Sequence, residues 1–219
     1  MKRKTLLLYG SFFIGLCLIY LLFVFWGTDN WKTKLPQLSA TVQPFSFTTE
    51  NETPFTQKDM QGKVCVVNYF FTTCKGICPR MNGNLKAVYD EFKDNPDFLI
   101  VSHTSDPETD SALKLKMYAQ KMNVDTNKWI FLTGKKDSLY KQARDSYLLD
   151  DPKNAVVNIN DQFLHTQFLA LVDKNGTLRG QIYDGLKAAE LKQLKTDIAI
   201  LLNEKATDFS GSNFTHSTN

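Results

Sequence analysis

Three basic residues, Lys2, Arg3 and Lys4, stand before an unbroken apolar run, LLLYGSFFIGLCLIYLLFVFW over residues 6–26, that has no charged side chain. A helix needs roughly 20 apolar residues to cross the hydrocarbon core of a bilayer, so the pattern predicts one N-terminal transmembrane helix. The basic cluster favours a cytoplasmic N-terminus, which puts everything after Trp26 on the extracytoplasmic side of a single-pass cell (inner) membrane protein. A cleaved signal peptide would have a shorter apolar core followed by small residues, whereas WGTDNWK follows here. Lipid attachment at Cys17 is disfavoured, because Leu16 occupies the position where a small residue is wanted.

Beyond the span the pattern changes. Residues 28–43 are polar, contain Pro36 and have no clear period, as suits a linker between the anchor (1–27) and a domain over 44–205. Alternation in FSFTT predicts a short hairpin strand, and MQGK reads as a turn. VCVVNYFF (64–71) is a continuous apolar run rich in β-branched and aromatic residues, the signature of a central strand covered on both faces. Met81, Leu85, Val88, Tyr89 and Phe92 then recur at helical spacing, with Pro79 suited to a first helical turn. DFLIVSHT (97–104) predicts a second buried strand, SDPE (105–108) a cap for a helix carrying Leu113, Met117 and Met122, and KWIFLTG (128–134) a third strand.

Residues 136–147 read as helical, and 148–164 as an inserted loop or lid. TQFLALVDKNGTLRGQIYDG predicts two strands joined at Asn175-Gly176, a dipeptide that accepts positive φ. A last amphipathic helix uses Leu191, Leu194, Ile198 and Leu201, and the polar tail 206–219 is expected to be disordered. Strands alternating with helices, then a hairpin and a helix, give a mixed α/β sheet with helices on both faces. About 190 residues after the anchor suffice for one such domain. The net charge of +3 equals the three basic residues at positions 2–4, so nothing points to nucleic acid.

Four cysteines bring in the chemistry. Cys17 falls in the span and Cys65 in a strand, where a thiol acts as a small apolar side chain. Cys74 and Cys78, in NYFFTTCKGICPRMN (68–82), sit where the first buried strand hands over to a helix. A redox-type pair at that junction makes a thioredoxin-like fold the natural expectation. Helix N–H groups and Lys75 favour thiolates there, which serves disulfide exchange and metal ligation equally. Residues four apart on a helix have Cβ atoms roughly 6 Å apart, a gap that a metal bridges more readily than a disulfide does.

Of the three histidines, His216 lies in the tail and His103 ends a strand with nothing else to mark it. His165 immediately precedes a strand, where a thioredoxin fold usually has a cis-proline packed on the cysteine motif. Two thiolates and an imidazole suit a soft cation, and copper, as copper(I) or copper(II), fits better than zinc, which wants a fourth ligand.

TTCKGICP (72–79), TSDPETD (104–110), WIFLTG (129–134) and LHTQFLALVDKNGTLRG (164–180) resemble the Sco copper chaperones, also called the SenC family, over residues 43–203 or so. The resemblance implies a membrane-tethered thioredoxin-like domain that binds copper through Cys74, Cys78 and His165. It also implies a partner, the copper A subunit of cytochrome c oxidase or a similar cuproprotein, served by copper delivery, by thiol reduction, or by both. The family often has Pro-Asp after the first cysteine, where this chain has Lys75-Gly76. Asp106 falls on the family's acidic DP position and is expected to cap a helix. Two other readings stand beside this one. A thiol-disulfide oxidoreductase would cycle Cys74 and Cys78 with His165 tuning them. A peroxiredoxin would need P-x-x-x-T-x-x-C, but Val67 and Phe71 occupy its proline and threonine positions.

Overall fold

The computed structural model describes residues 3–26, 35–151, 153, 159 and 164–206. The expected tail with His216, most of the expected loop at 148–164 and the first part of the expected linker lie outside the described residues. The chain divides into two compact units, Met1–Lys34 and Leu35–Asn219. In the first, helix α1 spans Arg3–Trp26. Among the described residues no helix is long and apolar enough to cross a membrane, so the structure does not establish the expected span.

In the second unit, β4 (Val64–Phe70) is the strand around which the others assemble, and all of its residues are buried. It pairs in parallel with β5 (Phe98–Thr104) and antiparallel with β7 (Phe168–Val172). On one side β5 continues in parallel to β6 (Trp129–Thr133), and β6 takes on the hairpin of β2 (Ser46–Thr49) and β3 (Pro54–Thr56). On the other side β7 pairs with β8 (Thr177–Arg179) and β9 (Tyr183–Asp184), and β8 with β1 (Gln37–Thr41). The helices of this unit are α2 (Ile77–Phe92), α3 (Ala112–Met122), α4 (Lys136–Asp145) and α5 (Ala188–Asn203).

The two-residue period of a strand sorts its side chains between two cores. Cys65, Val67 and Tyr69 pack with Leu139, Tyr140 and Ala143 of α4. Val64, Val66 and Phe70 pack with Met81, Leu85 and Val88 of α2 and with Leu194, Ile198 and Leu201 of α5. Each such side chain taken fully from water contributes about 1.5–3 kcal/mol. This double burial is why β4 reads as a continuous apolar run.

Two boundaries differ from the sequence reading. First, β1 lies inside the segment expected to be linker. QLSAT is a polar edge strand, held by its pairing with β8 and by the nearby Arg179 side chain. Arg179 Nε and Nη2 donate to the Leu35 carbonyl at 3.1 and 2.9 Å, while Nη1 reaches Asp173 at 2.8 Å and Glu204 at 3.0 Å. Second, α3 starts after the SDPE segment and is capped by Ser111, whose Oγ accepts from the Lys114 N–H at 3.4 Å. Asp106 caps no helix. Its Oδ1 accepts from the Thr109 N–H at 3.4 Å in the turn before α3.

His103 is fully buried, stacked on Tyr69 at 4.9 Å and set edge-on to Phe47 at 5.6 Å. Among the described residues neither ring nitrogen has a hydrogen bond of normal geometry. It is a core ring, remote in character from any ligand role. Burial lowers its pKa to about 3, weakly opposed by the Asn68 backbone. An unfolded histidine takes a proton near pH 6.5, so between about pH 6.5 and 3 the unfolded state binds more protons than the folded one. Stability from this residue is complete above that window and is lost as pH falls through it, by up to about 1.4 kcal/mol per pH unit. Urea midpoints measured from pH 7 to 4 are expected to fall less steeply for His103→Phe than for wild type; equal slopes would exclude this role.

Candidate metal centre

The loop after β4 brings the two motif cysteines together in unequal surroundings. Helix α2 begins at Ile77 with Gly76 as N-cap and no side-chain capping bond, so its first N–H groups need another acceptor. The Cys74 sulfur stands before that open end, where the N–H groups of Cys78, Gly76 and Ile77 and the Cys78 thiol act on it electrostatically. Cys74 therefore lies just outside the helix, not on it as the simple spacing argument assumed. This is what lets two side chains four apart come within hydrogen-bonding reach of each other.

The pair is electrostatically lopsided. Partial burial alone would raise the Cys74 pKa, but the hydrogen bonds from Cys78 and the helix N-terminus outweigh it and bring the value below that of an ordinary cysteine. Cys78 is only 2 % exposed. Burial pushes its pKa well up, the bond it donates to Cys74 pushes it further, and the Phe71 backbone opposes them. Cys74 is thus the more acidic thiol of the couple and Cys78 the less acidic.

His165 is exposed, with its ring 6.0 Å from the Phe71 ring. It looks across a cavity of about 450 Å³ whose walls include His165 and Gln167 on one side and Ile77, from the first turn of α2, on the other. Its backbone is fixed on both flanks. Leu164 N–H donates to Tyr140 Oη at 3.0 Å, the Gln167 carbonyl accepts from Gly185 N–H at 2.9 Å, and Gln167 Nε2 donates to Asp184 at 2.8 Å. Gly185 is required there, since a Cβ would come within 2.9 Å of the Gln167 carbonyl oxygen. Among the described residues no three His, Cys, Asp or Glu side chains are close enough together to hold a metal ion. The structure unites Cys74 with Cys78 and leaves His165 at the rim.

One residue of the site escaped the sequence reading. Asp110 is fully buried and accepts from the Thr72 N–H at 3.0 Å, from the Thr72 hydroxyl, and from the Thr104 hydroxyl at 2.6 Å. It ties the start of the cysteine loop to the end of β5. Its signal lay in TSDPETD, where Asp106 drew attention as the acid beside the proline, yet the second acid is the one that turns inward.

Iodoacetamide is expected to modify Cys74 before Cys78 at neutral pH, and the remaining thiol of Cys74→Ser is expected to react slowly, as read by mass spectrometry of the labelled peptides. Modification of Cys78 first would reverse the assignment. Replacement Asp110→Ala strands the buried Thr104 hydroxyl and two half-buried Thr72 donors and is expected to cost about 3 kcal/mol, measured by urea denaturation.

The SCO1/SenC family model matches residues 33–199. The crystal structure of a SCO1/SenC family lipoprotein from Bacillus anthracis is 31 % identical, covering 75 % of this chain and 96 % of that one with a TM-score of 0.64. BsSco, described as a member of the Sco family of cytochrome c oxidase assembly proteins that carries a disulfide switch, is 26 % identical over 78 % of this chain and 99 % of its own, with a TM-score of 0.65. A protein of Stutzerimonas stutzeri named as a candidate copper binder is 26 % identical over 151 residues, 68 % of this chain and 72 % of its own. With a family match across most of the chain, on the mixed α/β thioredoxin-like fold of its structural neighbours, the chain belongs to the SCO1/SenC family.

Proposed function

We propose that this chain binds copper as cargo through Cys74, Cys78 and His165 and serves assembly of the copper A centre of cytochrome c oxidase or of a similar cuproprotein. The observation that carries this reading is the thiol couple at the start of α2, next to a small cavity whose walls include both His165 and Ile77, the neighbour of Cys78. A polarised thiolate, a second sulfur and an imidazole form a soft donor set that favours copper over harder cations. Copper binding named for a relative and oxidase assembly named for BsSco add support.

Because the backbone is held at Leu164 and Gln167, the ring of His165 is the part that moves to complete the site. Displacement of the Cys78 proton accompanies ligation, since a metal takes thiolates. Helix α1 is the anchor in this reading. Its 24 residues rise about 36 Å, and the basic residues at its start keep the N-terminus cytoplasmic and the domain outside. The domain then comprises a thioredoxin-like body reached through a short tether.

Thiol exchange is the second reading, favoured by the mutual electrostatic influence of Cys74 and Cys78 and by the disulfide switch of BsSco. Titration of the reduced full-length protein in detergent with copper separates the two. One copper per chain with sulfur-to-copper charge-transfer absorption is expected in wild type, and at least a tenfold weaker affinity in His165→Ala. Copper binding unchanged by His165→Ala would remove the histidine from the site and favour exchange.

A further inference from the structure

Helix α3 turns outward the apolar residues that its sequence pattern marks for the core. The spacing places Leu113 and Met117 on the buried stripe, yet the structure leaves them 65 % and 60 % exposed and seats Leu115 and Ala119 inward instead. Leu148 and Phe168, the other exposed large apolar side chains described in this unit, reach only 42 %. A single exposed leucine is ordinary. Two such side chains one turn apart are neighbours on one face and form a stripe.

The stripe is fixed in that orientation and bordered by charge. On the inner side, the Tyr118 ring lies against Phe70 at 5.0 Å and Phe131 at 5.9 Å, and its Oη accepts from Asn82 Nδ2 at 2.8 Å. An α-helix advances about 100° per residue. Lys114 and Lys121 therefore fall on one flank of the Leu113–Met117 stripe, and Lys116, with Gln120, on the other; all four are exposed. No acidic residue occurs from Ser111 to Val124, and among the described residues none of the three lysines has an ion-pair partner.

The flanks decide what covers the stripe. Lysine is depleted where proteins meet proteins, whereas at a bilayer its stem lies along the apolar zone and its ammonium reaches the phosphates. An apolar stripe with lysines along both borders fits a helix lying in the plane of an anionic membrane surface. Two apolar side chains hold a bilayer weakly, but a chain already anchored needs no more, because tethering makes the second contact intramolecular. The helix also starts beside the thiol couple. Asp110, three residues before Leu113, accepts from the N–H of Thr72 at 3.0 Å, and Thr72 is two residues before Cys74.

We propose that the exposed face of α3 is a docking surface for the headgroups of an anionic phospholipid bilayer, which holds the cysteine loop close to the membrane. This goes beyond the copper reading, and it rests on the anchored reading of α1 only for the high local concentration of lipid.

The test uses reduced, metal-free, full-length protein in nanodiscs whose lipids carry a gadolinium chelate, with the methionine methyls labelled by carbon-13. In discs of mixed phosphatidylglycerol and phosphatidylcholine, the Met117 methyl, assigned by Met117→Leu, is expected to relax faster than in discs of phosphatidylcholine alone. Met60 and Met81, 3 % and 0 % exposed, serve as internal references. Each basic residue near an anionic surface favours the docked state about fivefold, so Lys114→Gln, Lys116→Gln and Lys121→Gln together are expected to lower docking about a hundredfold and abolish the difference. Salt that shortens the Debye length to about 3 Å is expected to do the same. The replaced side chains are exposed, so the fold is kept. Equal relaxation in the two kinds of disc, as when α3 receives an acidic protein instead, or a difference that survives the triple replacement, would overturn the proposal. Retention in discs of phosphatidylcholine reports the anchor separately. Should α1 not hold the chain there, flotation of the full chain with phosphatidylglycerol vesicles decides: flotation lost in the triple variant is expected, and no flotation, or flotation that survives, overturns the proposal.

Discussion

A helix that starts without a side-chain cap has several N–H groups pointing at nothing, and in α2 a sulfur fills that gap. The site follows from this constraint. Cys74 stands outside the helix, before its first turn, where the amides of Gly76, Ile77 and Cys78 lower its pKa and make it the more acidic member of the couple. Gly76 supports the arrangement by carrying no side chain that could compete as a cap. Asp110 holds the other end of the loop through Thr72, so the sulfur is fixed from both directions.

The sheet divides the remaining parts of the site between its two faces. Cys78 belongs to the core under α2 and α5, whereas Leu164, the neighbour of His165, belongs to the core under α4. The thiols and the segment carrying His165 therefore rest on different cores. The histidine stands at the rim, with an open cavity between it and the first turn of α2.

The sequence made the central elements legible because each rests on local pattern. The VCVVNYF run is apolar since both faces of β4 are covered, and Asn175-Gly176 marks the β7–β8 hairpin because Gly176 takes φ of 78°. The cysteine spacing marked the candidate site for the same reason. What escaped notice depends on distant partners. QLSAT is polar enough to pass for linker, and only its register against β8 makes it β1. Asp110 looks like one acid among several until it is seen to meet Thr72, 38 positions earlier. His165 shows the opposite limit: its position in the chain was readable, but its outward orientation was not.

Arg179 joins residues that are made at very different times. Its guanidinium holds the Leu35 carbonyl at the entrance of the domain, Asp173 in the β7–β8 hairpin, and Glu204 just past α5. During synthesis the first strand emerges long before its only pairing edge, so it must wait unpaired while nearly the whole domain is translated. Closure comes in one late event, when hairpin, guanidinium and final helix arrive together. A chain that loses its last helical turn to premature termination would keep the cysteine loop intact, yet it would leave the entrance strand loosely attached and open to quality-control proteases.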